Sequence, residues 1–410
     1  PFLLAFVLGC WVGHGAVFQY ALPGLLLVAL ASLASAQGVQ AQVGRHPVKP
    51  ALQVTHLTVL GQPLVQAPEG LQRQVLRLGL VADDAQQVMS ANKAAVSRAL
   101  NLVEDRRAES HARVAELLAA LKDAPKSSDG HRVGLTGPPG VGKSTLTSAL
   151  ARSLRRRGRT VGVVAVDPSS VRSGGSLLGD RARMSFDPTD NGLFVRSLAT
   201  AGEVGGLAYA ANSAVRVLAA AYDTVVIETT GVGQSEIDIV HVADTVVLVI
   251  QPGSGDVLQF LKAGIMEIPD VLVVNKADQE ERARRAVADL NGALRTASAA
   301  GAGGGENRDW EPPIVATSAT KGTGIDELID ALDAHRGHLA TTLAARRRQG
   351  EVQWALDLFS RKHGEHGVST LGGISTIEAR AKRNLDGGET PLGLCEQLSR
   401  EYVAALGQTA

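Results

Sequence analysis

The sequence predicts an α/β fold: a mostly parallel β-sheet built around a phosphate-binding loop, with helical extensions before and after it. Three observations predict it. Gly137-Pro138-Pro139-Gly140-Val141-Gly142-Lys143-Ser144 is a full match to G-x-x-x-x-G-K-[ST]. Later runs such as TVGVVAV, DTVVIE and DTVVLVI are apolar without alternation, which suits strands buried on both faces, as in parallel sheets. Asp83–Leu121 and the chain past Gly337 instead place apolar residues at helical intervals.

A chain of 410 residues allows one large or two modest domains, and 45% apolar content is ample for a core. Lys+Arg and Asp+Glu balance at 41 each, so charge gives no case for a nucleic-acid partner or an anionic membrane surface. The cysteines, Cys10 and Cys395, form no CxxC pair. That disfavours a disulfide framework and a thiolate metal site, and points to a reducing, cytoplasmic setting.

The chain opens at Pro1, and Phe2–Ala36 is apolar with no Lys, Arg, Asp or Glu. Leu25–Leu33 followed by Ala34-Ser35-Ala36 resembles a signal-peptide core and cleavage site. His14 and Pro23 break it as a membrane span, and no basic flank precedes it. An extension from a wrongly chosen start, a membrane anchor and a packed hydrophobic arm all stay open. Gln37–Gly70, rich in Gln, Val, Pro and Gly, reads as linker. Asp83–Leu121 predicts two or three helices, from Val88, Ala95, Leu100 and Val103, then Val114, Leu117, Leu118 and Leu121. Asp123–Gly130, with its Pro, Ser, Asp and Gly, connects these helices to the nucleotide domain.

The phosphate loop has the strand–loop–helix context its chemistry needs. Arg132-Val133-Gly134-Leu135 reads as a buried strand, and Lys143 onwards as a helix with apolar Leu146, Ala149 and Leu150. The glycines let backbone wrap an anion closely, and N–H groups at the helix N-terminus face it. Gly137–Thr145 is thus the expected nucleotide cradle, Thr145 included. Lys143 would reach the β- and γ-phosphates and the Ser144 hydroxyl would hold Mg²⁺. Arg155-Arg156-Arg157-Gly158 reads as a helix C-terminus. Thr160–Val166 is the next strand, placing Asp167 at a strand's C-terminal end, where ligands bind in open α/β sheets. Ser169–Met184, rich in Gly and Ser and carrying Asp180, reads as a switch-like loop with a carboxylate near the metal.

Asp223–Glu228 predicts another buried strand, ending in Glu228-Thr229-Thr230-Gly231. A carboxylate at a strand tip with a glycine three residues on matches the metal-side, γ-phosphate-sensing segment of phosphate-loop NTPases. The Gly231 amide would bond the γ-phosphate and lose it on hydrolysis. Asp244–Ile250 is a further strand, leading into Gln251-Pro252-Gly253-Ser254-Gly255-Asp256 and a helix with Gln259 and Lys262. Val271–Val274 ends in Asn275-Lys276-Ala277-Asp278, N-K-x-D. Asp278 can accept from both guanine N1–H and N2–H₂. Adenine offers no such pair, so the mismatch penalty selects guanine. Asn275 and Lys276 would hold the ring and brace the phosphate loop. Ile314–Thr317 is a last strand, and the Ser318-Ala319-Thr320 backbone could reach guanine O6. Ala297–Pro313 reads as a surface loop without chemistry. Trp354 and Leu358, then Leu394, Leu398, Tyr402 and Leu406, form helical stripes, interrupted at Gly372-Gly373 and Gly387-Gly388. The scattered histidines, His241 and the His363/His366 pair among them, make no clear ligand cluster.

In order, GPPGVGKST, VVAVDPSS, SGGSLLGDRARM, ETTGVGQSE, QPGSGD and VNKAD resemble the MeaB/ArgK family, the methylmalonyl-CoA-mutase-associated (MMAA-like) GTPases. The resemblance runs from roughly Asp83 to the C-terminus. It implies a P-loop GTPase of the SIMIBI class that hydrolyses GTP to GDP and phosphate, with a C-terminal helical arm used in homodimerisation. It implies Ser144, Asp167, Asp180 and Glu228 around Mg²⁺, with Lys143, Asp180 and Glu228 carrying catalysis. It also implies a partner-coupling switch over Gly253, Gly255, Asp256, Gln259 and Lys262. The implied role is gating adenosylcobalamin loading, and protecting, methylmalonyl-CoA mutase or a related acyl-CoA mutase. The alternatives are a metallochaperone-type GTPase and an ArgK-like transport-protein kinase. The expected organisation is an atypical extension over 1–82, helices over 83–125, the GTPase domain over 126–338 and the dimerisation arm over 339–410. Ala201 stands where the family usually has Arg, and Thr230 where Val is common. The Ala201 change puts partner coupling or hydrolysis rate in doubt, not nucleotide binding.

Overall fold

The structure, a computed structural model, describes residues 41–42, 58–59, 62–63, 81, 83–105, 107–123, 130–167, 186–187, 189–199, 209–229, 239–253, 269–299 and 310–408. Phe2–Ala36, Asp180, Ala201, Thr230, Gly231, Gly255, Asp256, Gln259 and Lys262 lie outside them. Two-residue strands at Ala41–Gln42, Thr58–Val59 and Gln62–Pro63 pair antiparallel.

The main sheet has seven strands: β1 (His131–Thr136), β2 (Val161–Asp167), β3 (Leu193–Ala199), β4 (Thr224–Glu228), β5 (Thr245–Ile250), β6 (Val271–Val274) and β7 (Ile314–Ala316). Their spatial order is β7-β6-β5-β1-β4-β2-β3, and every pairing is parallel. The strand before the phosphate loop is therefore central: the chain passes through β2 to the edge strand β3, returns to β4 beside β1, and then steps outwards through β5, β6 and β7 on the other side. The crevice at the C-terminal tips beside β1 is where such sheets bind ligands.

The sheet is accompanied by a helical stretch over 83–89 and by α1 (Lys93–Glu104), α2 (Ala108–Asp123), α3 (Lys143–Arg156), α4 (Tyr209–Ala221), α5 (Glu280–Ala299), α6 (Ile325–His338), α7 (Leu343–Thr370), α8 (Ile374–Asp386) and α9 (Pro391–Gln408). Successive strand residues point to opposite faces, and β4 shows the consequence. Val226 packs with Leu146, Leu150 and Leu154 of α3 and Leu328 and Leu332 of α6. Val225 and Ile227 pack with Val215 and Leu218 of α4, and with Val96, Leu100 and Leu117 of the N-terminal helices. Helix α1 starts where it does because Asn92 Oδ1 accepts from the Ala94 and Ala95 amides, each at 3.1 Å, satisfying orphan N–H groups. Helix α5 packs Ala283, Ala286 and Leu290 on Leu248, Leu272 and Val274.

The C-terminal helices have a core of their own, with Val352, Phe359, Ile377, Leu385, Leu394 and Leu398 fully buried. Gly373 precedes α8 and Gly387 caps its end, where the glycine pairs predict interruptions. Helix α7 joins the sheet at the strand N-termini, opposite the nucleotide crevice. Arg347 Nε and Nη2 meet Asp244 Oδ1 and Oδ2, both at 2.7 Å. Arg346 Nη2 meets Asp270 Oδ2 at 2.8 Å. Farther along, the half-buried Arg216 of α4 pairs with Glu351 at 2.9 Å and lies 5.2 Å above the Trp354 ring.

The Ala297–Pro313 reading needs correction at both ends. Ala297–Ala299 continue α5. Trp310 packs its ring 4.9 Å from His335 and donates Nε1–H to Asp270 O at 2.8 Å, so this residue is structural rather than loop surface. Among the described residues no helix is long and apolar enough to cross a membrane.

Candidate nucleotide-binding site

The site is assembled from strand tips. β1 leads into Gly137–Gly142, then α3. Two loop glycines are required by geometry. Gly137 has φ +141°, and a Cβ there would lie 2.1 Å from Val249 O. Gly142 has φ +95°, and a Cβ would lie 2.7 Å from Asn275 Nδ2. Both conformations favour glycine. Lys143 is buried, and its Nζ donates to Gly137 O at 2.7 Å and Pro138 O at 3.0 Å. Pro139, Gly140 and Thr145 are exposed and Val141 is buried.

Ser144 Oγ donates to Glu228 Oε1 at 2.5 Å, joining the start of α3 to the tip of β4. Thr147 Oγ1 donates to the other oxygen, Oε2, at 3.0 Å. Next in the chain, the Thr229 amide donates to Leu135 O at 3.2 Å, tying the β4 exit to β1. Asp167 ends β2 in register with Ala199 of β3. The Ser144 hydroxyl and the Glu228 carboxylate in contact offer hard oxygen donors. That chemistry fits Mg²⁺.

The second half of the site lies at the tips of β6 and β7. Asn275 is buried, and its Nδ2 donates to Val141 O at 2.8 Å. Its Oδ1 accepts from Thr317 Oγ1 at 3.2 Å and the Ala319 amide at 3.3 Å. Lys276 has φ +59°, in the left-handed region. Its Nζ donates to Gly140 O at 2.8 Å and Gln251 Oε1 at 2.6 Å. The exposed Asp278 accepts from Ser318 Oγ at 2.8 Å. That hydroxyl, first among its causes, holds the Asp278 carboxyl below the ordinary carboxylate range. Ser318 Oγ also lies 3.3 Å from Thr320 Oγ1. Gly253 follows β5 with φ +79°.

The structure thus brings together the loop, Ser144, Glu228, Asn275, Lys276, Asp278 and Ser318–Thr320. Asp180, Gly231 and the switch residues beyond Gly253 lie outside the described residues. Thr147 and Gln251 are additions that sequence reasoning missed. Thr147 carried a signal: a hydroxyl three residues after Ser144 lies on the same helix face. Gln251 carried none, because its partner Lys276 is distant in sequence. The His363/His366 pair, read as no ligand cluster, lies elsewhere: His363 Nε2 is 2.8 Å from Ser399 Oγ, and His366 Nδ1 is 3.0 Å from Tyr402 OH.

The family described as "Methylmalonyl Co-A mutase-associated GTPase MeaB" matches residues 96–367. A Mycobacterium tuberculosis protein named a probable GTPase is 42% identical over 276 residues, covering 66% of this chain and 80% of its own. The mouse protein named methylmalonic aciduria type A homolog, mitochondrial, is 34% identical over 296 residues, covering 68% and 69% respectively. Among solved structures, the LAO/AO transport system kinase superposes with TM-score 0.52 at 26% identity, covering 78% of this chain and 96% of that one. With a family match spanning most of the chain, a parallel sheet ordered around the phosphate loop, and N-K-x-D docked onto that loop, this chain belongs to the MeaB family of P-loop GTPases.

Proposed function

We propose that this chain binds and hydrolyses GTP with Mg²⁺ to gate adenosylcobalamin loading, and protection, of methylmalonyl-CoA mutase or a related acyl-CoA mutase. One observation carries the nucleotide half of this reading. Asn275 and Lys276 each donate to phosphate-loop carbonyls, Val141 O and Gly140 O, at 2.8 Å. The base-reading strand tip and the phosphate cradle are thereby one rigid unit, with Asp278 oriented by Ser318. The family match and the mouse relative support the mutase half.

In this reading Lys143 exchanges its two loop carbonyls for β- and γ-phosphate oxygens. Loop amides and the α3 N-terminus take up the remaining charge. Ser144, Asp167, Asp180 and Glu228 would hold Mg²⁺, which supplies charge neutralisation on the phosphates. Asp278 accepts from the guanine edge, and Ser318–Thr320 close over O6. Gly231 and the switch over Gly253, Gly255, Asp256, Gln259 and Lys262 pass the γ-phosphate state to the partner. Residues 126–338 form the GTPase unit, 83–125 a helical buttress, and 339–410 the arm through which two copies pair. We place the protein in the cytoplasm.

A second reading, a kinase acting on transport proteins, draws on the name of the superposed structure. The N-K-x-D geometry favours guanine over the ATP such a kinase would use. Isolated hydrolysis should be slow, because positioning and charge neutralisation dominate phosphoryl transfer and a lone switch protein lacks part of the set. The test is hydrolysis of GTP and ATP with and without an adenosylcobalamin-dependent acyl-CoA mutase. GTP turnover that rises on adding the mutase is expected. Full-speed turnover indifferent to the mutase removes the gating role, and ATP preference removes the guanine reading.

A further inference from the structure

We propose that Thr147 is a positioning residue for Glu228, fixing the carboxylate that faces the metal side of the nucleotide site. The assignment rests on the GTP and Mg²⁺ reading above. A glutamate at a strand tip has one more torsion than an aspartate, and its terminal torsion is broad and roughly two-fold. Two hydroxyls from a single helix face hold its two oxygens separately. Ser144 and Thr147 lie three residues apart on α3, so their hydroxyls stack on one side. Ser144 Oγ donates to Oε1 at 2.5 Å and Thr147 Oγ1 to Oε2 at 3.0 Å.

The neighbouring serine makes the contrast. A buried hydroxyl inside a helix ordinarily bonds the carbonyl four residues back, and Ser148 does so, donating to Ser144 O at 3.0 Å. Thr147, 0% exposed, donates across to Glu228, itself 5% exposed. The clamp keeps Oε1 beside Ser144, the residue whose hydroxyl the loop pattern assigns to the cation. Residues that orient metal-site carboxylates in this way tune metal affinity without touching the metal.

Thr147→Val keeps the shape and removes the hydroxyl; Thr147→Ser keeps the hydroxyl and removes the methyl. The readout is release of a fluorescent GDP from the full chain across a Mg²⁺ titration, with an EDTA arm, so no turnover is needed. In EDTA all three proteins should release GDP alike. The Mg²⁺ midpoint should rise about 10-fold in Thr147→Val and stay within about 2-fold of wild type in Thr147→Ser. Thr147→Ala serves as the second hydroxyl-free variant where valine fails to fold. A wild-type midpoint in the hydroxyl-free variant overturns the proposal, as does equal impairment in Thr147→Ser, which would make the methyl the cause. Wild-type release that ignores Mg²⁺ overturns the metal reading and this assignment with it. Wild type that binds no GDP overturns the guanine reading itself.

Discussion

Lys143 rests its ammonium on two carbonyls of its own loop, Gly137 O and Pro138 O. The buried cation is already positioned, and phosphate oxygens need only replace those acceptors. Lys143→Ala should lower GTP turnover on the order of 100-fold or more, read by phosphate release. Asp278 is a different kind of residue: exposed, ionised and aimed by Ser318. In Asp278→Asn the amide presents a donor where guanine also donates. GTP affinity should fall at least about 10-fold, while a xanthosine nucleotide, with a carbonyl at that edge, should gain. Competition binding with both nucleotides checks it. These residues were legible because loop, strand-tip carboxylate and N-K-x-D are contiguous strings, each with its own chemistry. The clamp on Glu228 was not, because Thr147 and Glu228 lie far apart in sequence and only the packing of α3 on β4 brings them together.

At the scale of elements, the central strands and β7 at one margin announced themselves, while β3 at the other margin did not. β4, β5 and β6 are buried throughout, and β1 at every residue but Arg132. Among the described residues β3 lies at the sheet edge, paired with β2. It carries Arg196, which reaches Glu104 of α1 at 2.6 Å, so no clean apolar run marks it. Helix α5 is similarly masked by the charged face of EERARRA. The docking of α7 was also out of reach of local pattern. Arg346 and Arg347 are adjacent, yet each meets a different carboxylate, placed before β6 and β5 respectively. Asp244 is only 1% exposed, so losing its guanidinium leaves a buried charge with the Arg132 amide as donor and the Arg132 charge as partial compensation. Arg347→Ala should therefore destabilise the fold by about 3 kcal/mol, measured by urea unfolding. Arg347→Lys should recover part of that, since it restores the charge without the two-pronged geometry. GDP affinity of the folded variant should hold, because the pair sits at the opposite end of the sheet from the phosphate loop.

Across the whole molecule, the two ends of the sheet do different work. The C-terminal tips hold the proposed nucleotide residues, and the N-terminal ends carry a buried polar chain that secures the helical arm. In that chain His131 Nε2 lies 2.7 Å from Thr245 Oγ1, which lies 2.8 Å from His335 Nδ1; His335 Nε2 is 3.2 Å from Asp270 Oδ1. Burial, the largest cause, pushes the His131 pKa from 6.5 down to about 4, against the opposing pull of Asp244. The native state thus keeps this imidazole neutral where the unfolded chain protonates it. Between those two values the unfolded state binds more protons, so stability rises with pH across that window. The contribution is fully present above pH 6.5 and drains away as pH falls towards 4. Going from pH 7.5 to 5 should remove about 2 kcal/mol through this residue alone. His363, lowered by burial, adds in the same direction. Asp244, Asp270 and Glu351 are held below their ordinary values, so their stabilisation is lost at still lower pH, as each is forced to protonate. Urea unfolding at a series of pH values should show a plateau above about pH 7, a decline through the histidine window and a steeper fall below it. In His131→Gln, which retains a hydrogen-bonding side chain but cannot titrate, the decline between pH 6.5 and 5 should flatten. An unchanged slope there would assign the acid sensitivity to other groups.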